Sequence, residues 1–176
     1  MNKQALSFLF FTIVLFSCSP SRKLQKKRYI NHTYTALKKT LNDAEVKLLN
    51  DTIRVIFKSP VLFEYKQAWI NPSLHPDFEK LAYALKIYAK TQVLIVGYTD
   101  SIGGDKMTNR ILSQRRADSA RNLLEYYQVP RERIDTWGFG AKEPIASNKT
   151  ETGRAANRRV QFIILYSYDN KKKKST

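Results

Sequence analysis

Apolar and polar positions change period several times along the chain, and each period predicts an element. Tyr34, Leu37, Leu41, Ala44 and Leu48 recur at helical spacing and predict a short amphipathic helix. Thr52-Ile53-Arg54-Val55-Ile56-Phe57 predicts a first strand, which Pro60 breaks. Phe63, Tyr65, Trp69 and Ile70 are expected to cover one end of the core. Pro76-Asp77-Phe78-Glu79 opens a second helix, with proline in the first turn and carboxylates where the helix dipole favours them. Phe78, Leu81, Ala82, Leu85 and Ala89 give its buried face. The β-branched run Val93-Leu94-Ile95-Val96-Gly97 predicts a buried strand over Val93–Tyr98. A helix of about Thr108–Tyr127 follows, ended by Val129-Pro130. Ile134–Trp137 is a third strand and Val160–Tyr166 a fourth. In the last, Val160, Phe162, Ile164 and Tyr166 alternate with Gln161, Ile163 and Leu165, so it is apolar on both faces and expected to be central. The order strand–helix–strand–helix–strand–strand describes an α/β (α+β) sandwich, βαβαββ, with helices on one face of a mixed four-stranded sheet.

One helix breaks its own pattern. Leu112, Arg116, Ala120, Leu123 and Tyr127 form a stripe at spacings of four, four, three and four, and Arg116 sits where an apolar side chain is expected. Asn109 and Ser113 lie on the same side, so the stripe is polar first and apolar later. Upstream, Asp100 closes the preceding strand and Gly103-Gly104 follow it, a turn at a sheet edge. A carboxylate and a guanidinium would then face one small space from two elements. Such a pair can hold a ligand carrying both an ammonium and a carboxylate, because arginine grips carboxylate through two parallel hydrogen bonds. Equally, Asp100 and Arg116 could bond to each other as an ordinary ion pair between strand and helix.

The ordered blocks Thr99-Asp100-Ser101-Ile102-Gly103, Asn109 through Leu112-Ser113-Gln114-Arg115-Arg116-Ala117, and Asn148 through Asn157-Arg158-Arg159-Val160 resemble the OmpA-like (OmpA/MotB/Pal) peptidoglycan-binding domain. Val129-Pro130-Arg131-Glu132-Arg133-Ile134, Gly138-Phe139-Gly140 and Pro144 fall in the same order, and Leu62-Phe63-Glu64-Tyr65 with Ile70-Asn71-Pro72 resembles its opening motif. The resemblance covers about residues 50 to 167. It implies the βαβαββ fold and a ligand, the meso-diaminopimelate of the peptidoglycan stem peptide. By motif position it implies that Asp100 and Arg116 hold the free amino-acid centre of that residue, with Arg158, Thr99 and Asn109 lining the pocket. Two departures stand out: Lys66 is a long cation where the family has Asp or Asn, and the loop after Asp100 is one residue longer than in many members.

Charge alone would suggest another partner. The 176-residue chain carries a formal net charge of +16, for which nucleic acid is the default. The N-terminus argues against that class. Lys3 precedes the apolar run Ala5–Phe16, too short to span a bilayer but of the length and form of a secretory leader. It ends in Leu15-Phe16-Ser17-Cys18, which resembles a bacterial lipobox, and Cys18 is the only cysteine. The expected organisation is a lipoprotein signal peptide over 1–17, a lipidated Cys18 with a basic tether over 18–49, the binding domain over 50–168, and a basic, disordered tail over 169–176. Arg22, Lys23, Lys26, Lys27 and Arg28 place the tether near an anionic membrane surface. Ser19 after the cysteine favours the outer membrane, with the domain facing the periplasm.

No catalytic constellation is present: His32 lies in the tether, His75 in a loop, Ser113 has no histidine near it in sequence, and no glycine-rich phosphate loop occurs. The sequence therefore predicts a non-enzymatic anchor without a cofactor, partnered by peptidoglycan and, through Cys18, by the outer-membrane bilayer. The alternative is a scaffold subunit of a motility or secretion machine that uses the same domain as its wall anchor.

Overall fold

The computed structural model describes residues 21–58, 62–63, 67–102 and 104–167. The expectations for the leader, Cys18, Glu64, Tyr65, Lys66 and the lysine tail lie outside the described residues. In chain order the elements are α1 (Arg22–Thr40), β1 (Ala44–Leu49), β2 (Thr52–Lys58), α2 (His75–Ile87), β3 (Thr91–Tyr98), α3 (Lys106–Tyr126), β4 (Ile134–Gly140), α4 (Glu151–Asn157) and β5 (Arg159–Tyr166). Strand order in the sheet is β1-β2-β5-β3-β4. Only β3 and β4 pair in parallel; the other pairs are antiparallel. The βαβαββ core is present from β2 onward, and β5 is central, as its two apolar faces require.

One sheet face carries the core. Ile53, Val55 and Phe57 of β2, Val160, Phe162 and Ile164 of β5, and Val93 and Ile95 of β3 are buried against Phe78, Leu81 and Leu85 of α2 and Ala120 and Leu124 of α3. The rings of Phe57, Phe78 and Phe162 meet at centroid distances of 5.2–5.7 Å, within the favoured range for aromatic pairs.

The N-terminal third differs from the sequence expectation. Arg22–Thr40 is one helix capped by Ser21, not a polar tether followed by a helix reaching Leu48. Its buried side chains, Ile30, Thr33 and Leu37, come at spacings of three and four, and the leucine and isoleucine enter the common core. Leu41, Asn42 and Asp43 end the helical stretch, and Ala44, Val46 and Leu48 then alternate with Glu45 and Lys47. That period of two makes β1 a fifth, edge strand. Asn50, with φ of 55°, turns it back into β2, as a two-residue hairpin loop demands. The sheet therefore has five strands rather than four, and α1 and β1 pack as part of the same unit as residues 50–167. Three smaller expectations also change. Trp69 is 62% exposed rather than core, Ala89 lies exposed beyond α2, and His75 begins that helix rather than lying in a loop, with Pro76 in the first turn as expected.

The buried face of α3 is rotated from the expected stripe. Asn109, Ser113, Arg116, Ala117, Ala120 and Leu124 are buried, whereas Leu112, Leu123 and Tyr127 are half-buried. Glycines on the sheet set this rotation by letting the helix backbone come close. A Cβ at Gly97 would lie 2.0 Å from the Ser113 carbonyl oxygen, and one at Gly138 would lie 2.5 Å from the Gln114 nitrogen. Ser113 locks the contact: its hydroxyl donates to the Arg110 carbonyl and accepts from the Gly140 N–H, each at 2.8 Å. Its role is to pack α3 against the sheet.

Candidate functional site

The site forms where β3 ends beside the start of α3. The Thr99 N–H donates to the Gly140 carbonyl at 2.9 Å, which holds the end of β3 to β4. Asp100 then turns the chain: its Oδ1 accepts from the Ile102 N–H at 2.9 Å, the asparagine/aspartate turn its position suggested. Its Oδ2 accepts from Arg158 Nη1 at 2.7 Å, an ion pair in which both side chains are more than four-fifths buried.

Arg116 enters from α3 and is 2% exposed. Its Nε donates to the Gln67 carbonyl at 3.0 Å, and its guanidinium lies 4.8 Å from the ring centroid of Phe63. Among the described residues no carboxylate lies within ion-pair distance of it. The simple Asp100–Arg116 strand-to-helix pair is thus not formed; Asp100 takes Arg158 instead. Burial, and next the charge of Arg158, push the Arg116 pKa down to about 10, while Asp100 works in the opposite direction. The guanidinium is still protonated at neutral pH, in surroundings that would welcome another anion.

Thr99, Asp100, Asn109, Arg116 and Arg158 all line one cavity of about 390 Å³. Asn109 braces its wall, donating from Nδ2 to the Gly104 carbonyl at 3.1 Å. The Thr99 hydroxyl is buried and has no hydrogen-bond partner among the described residues, which is unusual for a buried polar atom. Ile102, Ile111 and Leu112 supply apolar wall, and Arg115 lies at the rim. The structure therefore brings together every one of the five pocket residues expected from the sequence. Cys18, the expected lipid site, lies outside the described residues.

What the sequence did not reveal is the brace behind Arg158. Its Nη2 donates to Glu151 Oε1 at 2.7 Å, and Glu151 Oε2 accepts from Arg154 at 2.6 and 2.9 Å. These hydrogen bonds, from Arg158 first and then Arg154, hold the Glu151 carboxyl below the usual carboxylate range. Spacings of three and seven put Glu151, Arg154 and Arg158 on one face of α4 and its C-cap, a signal available in the sequence once Thr150 is recognised as an N-cap. Asn157, 1% exposed, ties down the loop before α4. Its Oδ1 accepts from the N–H groups of Ile145 and Ala146 at 2.8 and 3.0 Å. Its Nδ2 donates to the Ala146 carbonyl and to Asn148 Oδ1, and that same Asn148 oxygen accepts from the Ser101 N–H at 3.2 Å. The loop bearing Asp100 and the end of α4 are thereby one hydrogen-bonded body. Chemically, the arrangement offers a carboxylate with lone pairs to spare, and a buried guanidinium and hydroxyl that have no anion and no hydrogen-bond partner, respectively, among the described residues.

Residues 62–158 match the OmpA family. The Escherichia coli (strain K12) protein named "Probable lipoprotein YiaD" is 41% identical over 114 residues, covering 65% of this chain and 52% of that one, so the chain spans about half its length. The "Peptidoglycan-associated lipoprotein" of Buchnera aphidicola subsp. Baizongia pistaciae is 29% identical over 170 residues, covering 92% of this chain and 94% of the other. Among solved structures, that described as the cell wall anchor of the T6SS from Pseudomonas aeruginosa superimposes with a TM-score of 0.64 at 28% identity, covering 80% of this chain and 96% of that chain.

Proposed function

The chain belongs to the OmpA family, and on that premise we propose that it is a non-enzymatic anchor that binds peptidoglycan non-covalently through the diaminopimelate of the stem peptide. The observation that carries this reading is Arg116: a protonated guanidinium, almost wholly buried, that lines a cavity and has no anionic partner among the described residues. A buried charge without a partner is costly, and a ligand carboxylate in the cavity would supply one. It would also relieve the repulsion that Arg158 exerts on Arg116.

The ligand's ammonium then goes to Asp100. Each of its oxygens already accepts one hydrogen bond, from Ile102 and from Arg158, and a carboxylate offers about four acceptor positions. The Thr99 hydroxyl completes the set as donor or acceptor. The free end of diaminopimelate is an ammonium and a carboxylate on one carbon, and Asp100 and Arg116 line the same cavity to receive them. Relatives named as an outer-membrane lipoprotein and as a peptidoglycan-associated lipoprotein support placing the chain in the outer envelope. We further propose that Cys18 carries the lipid, with the domain in the periplasm. The neighbour described as a T6SS cell wall anchor favours one second reading, in which the same cavity serves a larger envelope machine.

The test is sedimentation of the chain with purified sacculi, with and without free meso-diaminopimelate. Binding that free diaminopimelate competes away is expected; binding that it leaves untouched would reject the assigned ligand.

A further inference from the structure

The end of the sheet opposite the cavity is a pole of positive charge. β3 runs from Thr91 toward Asp100, so its start marks the far end. The antiparallel pairings bring Tyr166 of β5 and the turn at Asn50–Asp51 to that same end. α1 meets it at Tyr29, whose hydroxyl accepts from the Lys90 N–H at 2.9 Å and whose ring packs edge-on against Tyr88 and Tyr166. One turn earlier, Lys26 reaches Asp51 at 3.1 Å. The part of α1 before Tyr29 therefore projects past the sheet, about 10 Å of helix at roughly 1.5 Å per residue.

This overhang presents Arg22, Lys23, Lys27 and Arg28, all exposed, and exposed Lys90 and Arg131 lie at the same end. The Ser167 N–H donates to the Lys90 carbonyl at 2.9 Å, which holds the end of β5 beside Lys90. The opposing acids are Asp51, paired with Lys26, Glu125, paired with Arg131 at 2.9 Å, and Glu132. The first turn of α1 holds no acid and two cations, although the helix dipole already makes that end positive and disfavours them. An anionic surface against this end would compensate both. Leu24, 40% exposed among the cations, adds an apolar contact. Ser21, the N-cap, stands three residues after Cys18, a link that extends at most roughly 10 Å.

We propose that this pole is a docking surface for the anionic phosphate headgroups of the leaflet that holds the protein. The domain stands on the membrane at the pole and turns its cavity away, toward the wall. α1 is then a rigid foot rather than a flexible tether. The direction it faces rests on the proposed anchoring at Cys18; the headgroup affinity rests on the charges alone.

The test uses the chain from Ser19 onward, which keeps the whole core cluster, Ile30 to Ile164. Its sedimentation with vesicles of phosphatidylglycerol and phosphatidylcholine (about 3:7) is compared with pure phosphatidylcholine. Binding to the anionic vesicles alone is expected, since each cation near such a surface contributes roughly fivefold in partitioning. The quadruple variant Arg22→Glu, Lys23→Glu, Lys27→Glu, Arg28→Glu should lose at least about a hundredfold. Its Tm should not fall, because acids suit a helix start, and its sacculus binding should be unchanged. Wild-type-like vesicle binding by that variant would overturn the proposal, as would absence of binding by the parent chain. Tighter binding of the parent to duplex DNA than to anionic vesicles would assign the pole to nucleic acid instead. Loss of sacculus binding with vesicle binding retained would sink the wall reading and leave the pole standing.

Discussion

Replacing Arg116 with methionine separates binding from folding. The methionine keeps most of the volume and removes the charge. Two effects on stability oppose each other. The burial and neighbouring charge that depress its pKa to about 10 correspond to about 3 kcal/mol of destabilisation that the variant escapes. Against this stand the hydrogen bond from Nε to the Gln67 carbonyl and the contact with Phe63. A hydrogen bond to a charged group contributes about 1.5–3 kcal/mol, and a desolvated cation–π contact about 2 kcal/mol, of which the methionine sulfur on the same ring recovers about 1 kcal/mol. The terms cancel to within about 1 kcal/mol, so Tm should move by no more than about 4 °C in a chain of this size. Binding should behave differently. Losing the charged hydrogen bonds to a ligand carboxylate, at about 1.5–3 kcal/mol each, weakens affinity on the order of tenfold to a hundredfold or more. Arg116→Lys should also bind poorly, since an ammonium lacks the planar fork. Differential scanning fluorimetry and sacculus binding on the same samples decide the matter. A Tm loss beyond about 8 °C with binding per folded molecule retained would refute the reasoning and make Arg116 a structural residue.

Thr99→Val should leave Tm unchanged or slightly higher, because the buried hydroxyl has no partner to lose, and should weaken binding by severalfold in titration calorimetry. Gly97→Ala should lower stability by several kcal/mol in urea unfolding, since its Cβ would meet the Ser113 carbonyl oxygen at 2.0 Å and α3 must shift. The Glu151 carboxyl has a folded pKa below its ordinary value of 4.5, so its stabilising contribution is present above that value and disappears as pH falls through the lower one. The stability difference between the parent chain and Glu151→Gln, read by urea unfolding across pH, should therefore be fully present above that ordinary value and vanish in stronger acid. Asn157→Ala should release the Ile145–Ala146 loop and, through Asn148, the Ser101 backbone; hydrogen exchange at those amides should rise.

Elements that bury one clean stripe were legible in the sequence. β5 announces its central place through two apolar faces, and α2 through Phe78, Leu81 and Leu85. Arg116 announced a site because a cation in an apolar stripe has few structural uses. The N-terminal third was misread because the helical spacing from Tyr34 to Leu41 continues by coincidence through Ala44 and Leu48. The alternation of Glu45 and Lys47 with apolar neighbours carried the true period. Basic composition over Arg22–Arg28 also hid a helix whose buried contacts begin only at Ile30. The pairing of Asp100 with Arg158 lay beyond local pattern. The two are 58 positions apart and meet only because β5 returns beside β3 and α4 ends at the same edge. Likewise the rotation of α3 is set by Gly97 and Gly138 on the sheet, not by anything within the helix.

Calorimetry of the chain with two stem peptides that differ only at the third residue tests the central claim most directly. One peptide carries meso-diaminopimelate; the other carries lysine, which keeps the terminal amine and lacks the carboxylate beside it. Asp100 could still receive the amine, but Arg116 would have nothing to hold. Binding of the diaminopimelate peptide at least about tenfold tighter, with the difference abolished in Arg116→Met, is the predicted result. Equal affinity for the two peptides in the parent chain would contradict the account.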